Sequence, residues 1–306
     1  MKKDLLKMND LSKDEILEIL NLADQLKYEK KHNIDHAHLK GKTLGMIFEK
    51  ASTRTRVSFE VGMLDLGGNP LFLSSNDLQI GRGEPIKDTG RVLSRYIDGI
   101  MIRTFSQKDI ETLAKYSSIP VINALTDDEH PCQVLADLMT IREYKNSFEN
   151  LNICYIGDGN NMAHSLMVGA LKVSMNFNIA TPKDYKPLDS YISLAKEISK
   201  INNCKFNLYD NPKDAIKNAD VVITDVYASM GKESEATERL EYFKGFCVDS
   251  SLMKYAKSDA IVLHCLPAHR GEEISEEILE KYSSSIFDEA ENRLHVQKAI
   301  LLKLMK

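Results

Sequence analysis

Ser52, Thr53, Arg54, Thr55 and Arg56 stand in an unbroken row, three hydroxyls among two guanidiniums. The row follows an apolar run at 44–48 and leads into a segment carrying Val57, Phe59, Val61, Met63 and Leu64. That order predicts a strand, a turn and a helix N-terminus. The first N–H groups of a helix lack intrahelical partners and its dipole favours negative charge there. Arginine adds paired donors matched to phosphate oxygens. The row therefore points to a phosphorylated ligand. It is no Walker loop, because the glycines and the Gly-Lys pair are absent. The competing reading makes Arg54 and Arg56 solvated charges and Ser52 or Thr53 a helix cap.

Further chemistry-bearing residues recur at strand ends. Arg103 follows the apolar run 100–102 and is placed to reach an anion. His130-Pro131-Cys132-Gln133 opens a helix, with proline preset for the first turn and with imidazole and amide groups suited to polarising a carbonyl. Gly157-Asp158-Gly159-Asn160-Asn161-Met162 resembles a dinucleotide fingerprint in part, but Met162 stands at the third glycine, which argues against a dehydrogenase. Asn161 suits an amino acid's α-carboxylate or α-amino group, or else caps a helix. Asp225-Val226-Tyr227-Ala228-Ser229-Met230-Gly231 sets a carboxylate at a strand end, able to hold an amine. His264-Cys265-Leu266-Pro267 places a thiol after another strand. A metal on His264, Cys265 and His269 lacks a second cluster to complete its shell. A Cys265 nucleophile paired with His130 would not need so many anion-binding groups.

The elements that must position these groups alternate. After an opening helix with a Ser12-Lys13-Asp14-Glu15 capping box, strand-length runs at 44–48, 71–73, 100–102 and 120–124 are separated by helical patterns at 86–96 and 108–116. A helix at 133–144 ends in the polar stretch 145–150. The alternation then restarts, with strands at 151–156, 177–180, 206–209, 221–224 and 261–263 and helices at 162–173 and 191–198. The chain closes on a helix at 289–306. This is an α/β pattern of two units, each a parallel sheet flanked by helices, and it predicts a ligand cleft at the strands' carboxyl ends.

Composition narrows the class of ligand. The 306 residues carry a net charge of -5, 43% hydrophobic and 28% charged residues, with lysine and arginine scattered, so a nucleic-acid or anionic-membrane footprint is absent. Five isolated cysteines without a CxxC pair argue against a disulfide framework or zinc ribbon. The N-terminal residues lack the apolar core of a secretory signal. The expectation is a cytoplasmic protein with a small-molecule ligand.

Taken together, the rows at 52–56, 130–133, 225–231 and 264–267 resemble the ornithine carbamoyltransferase family in motif, order and spacing, over essentially the whole chain. Gln79, Asn160-Asn161-Met162 and Asn292-Arg293 add to the resemblance. It implies transfer of a carbamoyl group from carbamoyl phosphate to the side-chain amine of L-ornithine, giving L-citrulline and phosphate in arginine metabolism. It implies no metal and no organic cofactor. Residues 1–146, joined by the helix at about 289–306, would form the carbamoyl phosphate-binding domain, and 147–288 the ornithine-binding domain.

By the same resemblance Ser52, Thr53, Arg54, Thr55, Arg103 and Arg293 hold the phosphate, while Thr55, Arg103, His130 and Gln133 surround the carbamoyl group. Gln79 reaches the site of a neighbouring subunit in a homotrimer. Asn161, Asp225, Ser229 and Met230 bind ornithine, with Cys265 and the Leu266 backbone between the two substrates. Arg103, His130, Asp225 and Cys265 form the implied catalytic set. Attack requires a neutral amine, whereas a lysine-like amine ionises near pH of about 10.4. Asp225 and Cys265 are the candidates for orienting it and handling its proton.

Tyr227 departs from the tryptophan of the family loop, which bears on an aromatic prop rather than a polar contact. Aspartate carbamoyltransferases lack the Ser229-Met230-Gly231 loop, and putrescine carbamoyltransferases depart from it. An oxidoreductase built on Gly157-Asp158-Gly159 and a non-catalytic phosphometabolite binder are the readings from other classes.

Overall fold

The structure, a computed structural model, describes residues 3–228 and 235–306. Two compact units partition the chain, Met1–Leu135 with Asn292–Lys306, and Ala136–Glu291. Both divisions fall inside helices, so the boundary is a change of neighbours and not a break in secondary structure.

In the first unit α1 (Lys13–Lys31) starts at Ser12, whose hydroxyl accepts from the Glu15 N–H while Glu15 returns a bond to the Ser12 N–H. There follow β1 (Thr43–Phe48), α2 (Thr53–Asp65), β2 (Asn69–Ser74), α3 (Ile86–Leu93), β3 (Gly99–Arg103), α4 (Gln107–Tyr116) and β4 (Val121–Leu125). The strands form a parallel sheet in the order β2-β1-β3-β4. Every residue of β3 is buried, which explains its uninterrupted apolar run. β2 is an exposed edge, where Pro70 is tolerated because one side of the strand needs no ladder donor.

α5 (Pro131–Lys145) crosses the first division. The second unit contains β5 (Asn152–Ile156), α6 (Asn161–Lys172), β6 (Asn176–Ala180), α7 (Asp189–Ile201), β7 (Phe206–Tyr209), α8 (Pro212–Ala215), β8 (Val221–Thr224), α9 (Ala236–Tyr242), α10 (Ser250–Met253), β9 (Ile261–His264) and α11 (Glu276–Lys281). Its five parallel strands run β7-β6-β5-β8-β9. α12 (Ser283–Met305) crosses the second division and returns to the first unit.

Each sheet reverses its winding once. In the first sheet the chain leaves β1 for β2 on one side and later for β3 on the other. In the second it leaves β5 for β6 and later for β8. Loops diverge at such switch points and open a crevice beyond the strand ends, where parallel α/β proteins bind ligands. No helix among the described residues is long and apolar enough to cross a membrane.

Candidate active site

At the first switch point, Ser52 is the N-cap of α2: its side chain accepts from the Thr55 N–H at 3.2 Å. The capping reading and the anion reading therefore hold together, since a capped helix N-terminus is a rigid one. Thr55 is 1% exposed and its Oγ1 accepts from Arg293 Nη2 at 2.9 Å. Arg293, on α12, also donates from Nη1 to Gln133 Oε1 at 2.8 Å. One buried guanidinium thus joins the α2 turn to the first turn of α5, tying together residues far apart in the chain. Ser52 and Arg54 are half-buried, and Thr53 is exposed.

Arg103 ends β3 at 5% exposure, and its carbonyl accepts from the Glu49 N–H at 2.9 Å. His130 precedes Pro131 at the start of α5, its carbonyl accepting from the N–H groups of Gln133 and Val134. Burial, then the positive charges of Arg293 and Arg103, hold the His130 pKa well below the usual imidazole value of 6.5. A neutral ring can donate one N–H to a carbonyl oxygen without adding a charge. His130 should therefore show an NMR titration midpoint below the ordinary imidazole value of 6.5. Because the unfolded chain would bind that proton first, this group lowers stability progressively as pH falls below 6.5. A midpoint at or above 6.5 would contradict the assignment.

Arg56 lies outside this cluster. Its guanidinium covers the Phe72 ring at 3.8 Å and its Nε meets Glu60 at 3.4 Å, on the outer side of α2. Gln79 is exposed and starts the 3₁₀ turn Gln79–Arg82. A groove of about 820 Å³ is lined by Lys50, Ser52, Thr53, Val57, Leu64 and Phe72 among others.

In the second unit Asn160 is the N-cap of α6, its Oδ1 accepting from the N–H groups of Met162 and Ala163. Its amide donates across the switch point to Asp225 Oδ2 at 3.0 Å. Asn161 is consequently not the cap but the first helical residue, 8% exposed. Asp225 follows β8, and its Oδ1 accepts from Cys265 Sγ at 3.0 Å. Burial and the Asp225 carboxylate push the Cys265 pKa well above 9.0, so the sulfur is a thiol donor. This removes the thiolate that a Cys265 nucleophile would need.

The backbone around Cys265 is fixed by His264. Its Nδ1 accepts from the Leu266 N–H at 2.9 Å, and its Nε2 faces Glu273 Oε1 at 2.9 Å. Leu266 adopts φ of 55°, uncommon for a branched residue and held here by that bond. His264 and Cys265 cluster with Asp225, whereas His269 clusters with Glu272 and Glu273. The trio considered as metal ligands is thus divided, and both nitrogens of His264 already have partners. Tyr227 is 3% exposed, stacks on Phe243 at 4.3 Å and donates its hydroxyl to the Glu272 carbonyl, so its ring is a packed aromatic prop. Ser229 and Met230 lie outside the described residues.

Asn160 is the residue whose part in the site the sequence reading did not assign. An Asn-Asn pair at a helix start carries the signal, since one amide caps and can turn its second donor on a neighbouring acid.

A parallel sheet ending in a capped, arginine-lined helix start, and a second ending in an acid bonded to a thiol and an amide, define a group-transfer enzyme of the α/β class. Residues 3–143 match the family model described as aspartate/ornithine carbamoyltransferase, carbamoyl-P binding domain, and residues 149–304 match the Asp/Orn binding domain of the same family. The chain belongs to the aspartate/ornithine carbamoyltransferase family. An ornithine carbamoyltransferase of Carboxydothermus hydrogenoformans is 55% identical over 99% of this chain and 97% of that relative, and one of Methanosarcina acetivorans is 52% identical over the full length of both. The solved ornithine carbamoyltransferase of Pyrococcus furiosus has a TM-score of 0.95 at 49% identity, covering 99% of this chain and 97% of that one.

Proposed function

We propose that the protein is an ornithine carbamoyltransferase. The observation that carries the reading is the separation of unlike chemistry. Guanidiniums and a helix N-terminus gather at one sheet, and an acid-thiol-amide set at the other. The first suits the phosphate and carbonyl of carbamoyl phosphate, and the second suits an amine.

In the reaction, the δ-nitrogen of L-ornithine attacks the carbamoyl carbon. A C–N bond forms, the C–O bond to phosphate breaks, and the nitrogen loses one proton, giving L-citrulline and phosphate. Ser52, Thr53, Arg54, Thr55, Arg103 and Arg293 hold the phosphate. Thr55, Arg103 and neutral His130 meet the oxyanion of the tetrahedral intermediate, where fixed donors act most strongly. Gln133 faces the carbamoyl amide, held in place by Arg293. Asn161, Asp225, Ser229 and Met230 bind ornithine. Asp225 and the Cys265 thiol orient the amine in its neutral form, with the Leu266 backbone beside it.

The α2 and β2 face supports a homotrimer. Val57, Leu64, Leu71 and Phe72 are 53%, 58%, 45% and 40% exposed there, an apolar surface that a second copy would cover. Gln79, exposed on the turn after β2, is then available to a neighbour's site. Mixing refolded Gln79→Ala chains with Asp225→Asn chains should restore activity above either parent, because some hybrid sites carry both native groups. Mixtures no more active than their parents would place Gln79 in its own chain's site.

Incubation with carbamoyl phosphate and L-ornithine tests the activity: citrulline and phosphate should appear in equal amounts. Phosphate release without citrulline would contradict the transfer.

A further inference from the structure

Arg239, on α9, is 3% exposed and takes no part in the reaction described above. Its Nη1 donates to Asp158 Oδ2 at 2.7 Å and to the Tyr227 carbonyl at 2.8 Å. Its Nε donates to Glu235 Oε2 at 3.0 Å, and its guanidinium lies 4.7 Å from the centre of the Tyr185 ring. A buried guanidinium is retained only where its partners replace water, and here they come from three separate segments.

Two of those segments carry the proposed acceptor-binding groups. Asp158 belongs to the turn after β5, two residues before Asn160 and three before Asn161. Tyr227 belongs to the loop after β8, two residues beyond Asp225. Arg239 therefore bridges the two sides of the second unit's switch point. The turn after β5 is pinned from behind as well: the Gly159 N–H donates to the Tyr185 carbonyl at 2.8 Å, and a side chain at Gly159 would strike the Pro187 nitrogen at 2.2 Å. Among the described residues of the loop after β8, Tyr227 is held by its ring on Phe243, by its hydroxyl on the Glu272 carbonyl and by its own carbonyl on Arg239.

We infer that Arg239 is a positioning residue for the acceptor amino acid, setting the spacing between Asn161 and Asp225 by clamping the Tyr227 carbonyl to Asp158. It acts through those residues and touches neither substrate. The inference rests on the ornithine carbamoyltransferase reading. It adds a specificity element on a helix from which that reading takes no residue.

Arg239→Lys keeps the charge but loses the guanidinium plane, whose Nη1 serves Asp158 and the Tyr227 carbonyl while its Nε holds Glu235. Arg239→Gln removes the charge. The ornithine KM should rise by about tenfold in Arg239→Lys and further in Arg239→Gln, while the carbamoyl phosphate KM stays within about twofold, the scale of losing one charge-assisted bond on one side only. A residue that merely stabilises the fold would lower the melting temperature and leave both KM values in place. If the Arg239 variants do not fold, Asp158→Asn weakens the same clamp by removing its negative charge without changing side-chain size and should give the same KM split in the same direction. Folded variants with an unchanged ornithine KM, or with both KM values raised equally, would overturn the inference. Absence of citrulline from the unaltered protein would instead count against the activity itself.

Discussion

Arg54→Ala is expected to abolish saturable use of carbamoyl phosphate while leaving a folded protein. The backbone of the α2 start does not depend on that side chain: Ser52 caps it through the Thr55 N–H, and Ser58 Oγ donates to the Arg54 carbonyl at 2.7 Å. Phe59, Met63 and Gly62 on the same helix remain buried. Loss of a half-buried arginine from a helix surface should therefore cost about 1 kcal/mol or less of stability. The two charge-assisted bonds to phosphate proposed for Arg54 would be worth far more, and their loss should weaken carbamoyl phosphate binding by about a hundredfold or more. Saturation kinetics in carbamoyl phosphate, together with a thermal melt, measure both effects. A near-normal KM in a folded variant would remove Arg54 from the phosphate site.

Asp225→Asn should act on the other half of the reaction. Asp225 accepts on both oxygens, from Cys265 Sγ and from Asn160 Nδ2. An amide of the same shape must turn its own donor toward one of these donors, so one bond becomes a repulsion and the negative charge that draws an amine is lost. Turnover with ornithine should fall by about a hundredfold or more, the range seen when a preorganised electrostatic group is removed. Carbamoyl phosphate KM should change by less than about threefold, since residues of the other compact unit are proposed to hold it. Equal losses in both substrates would contradict this division of labour.

Much of the fold is legible in the sequence because buried parallel strands read as unbroken apolar runs. The strand read at 100–102 is β3, and that read at 221–224 is β8. The start of α12 was less legible. The helix expected at 289–306 begins six residues earlier, at Ser283, and Ser285 Oγ donates to the Val262 carbonyl at 2.7 Å. The short helices α9, α10 and α11 span too few turns for a periodic signal.

The candidate site shows the same contrast. Strand-end residues such as Arg103 and Asp225 announce themselves by position, because ligands bind where parallel strands stop. Arg239 does not. Beside Glu235 at i,i+4 spacing it reads as a surface ion pair, and only the fold brings Asp158 to it from 81 residues away. Arg56 errs the other way. The last residue of the 52–56 row, it stacks on Phe72 because successive helical residues point about 100° apart.

The most direct measurement compares acceptors with one carbamoyl donor. With carbamoyl phosphate fixed, kcat/KM should be determined for L-ornithine, putrescine and L-aspartate under identical conditions. Ornithine should exceed each of the others by about a hundredfold or more, because putrescine leaves the groups proposed for the α-carboxylate unpaired and aspartate brings a side-chain carboxylate in place of the δ-amine. A preference for putrescine or aspartate, or no carbamoylated product from ornithine, would contradict the assignment.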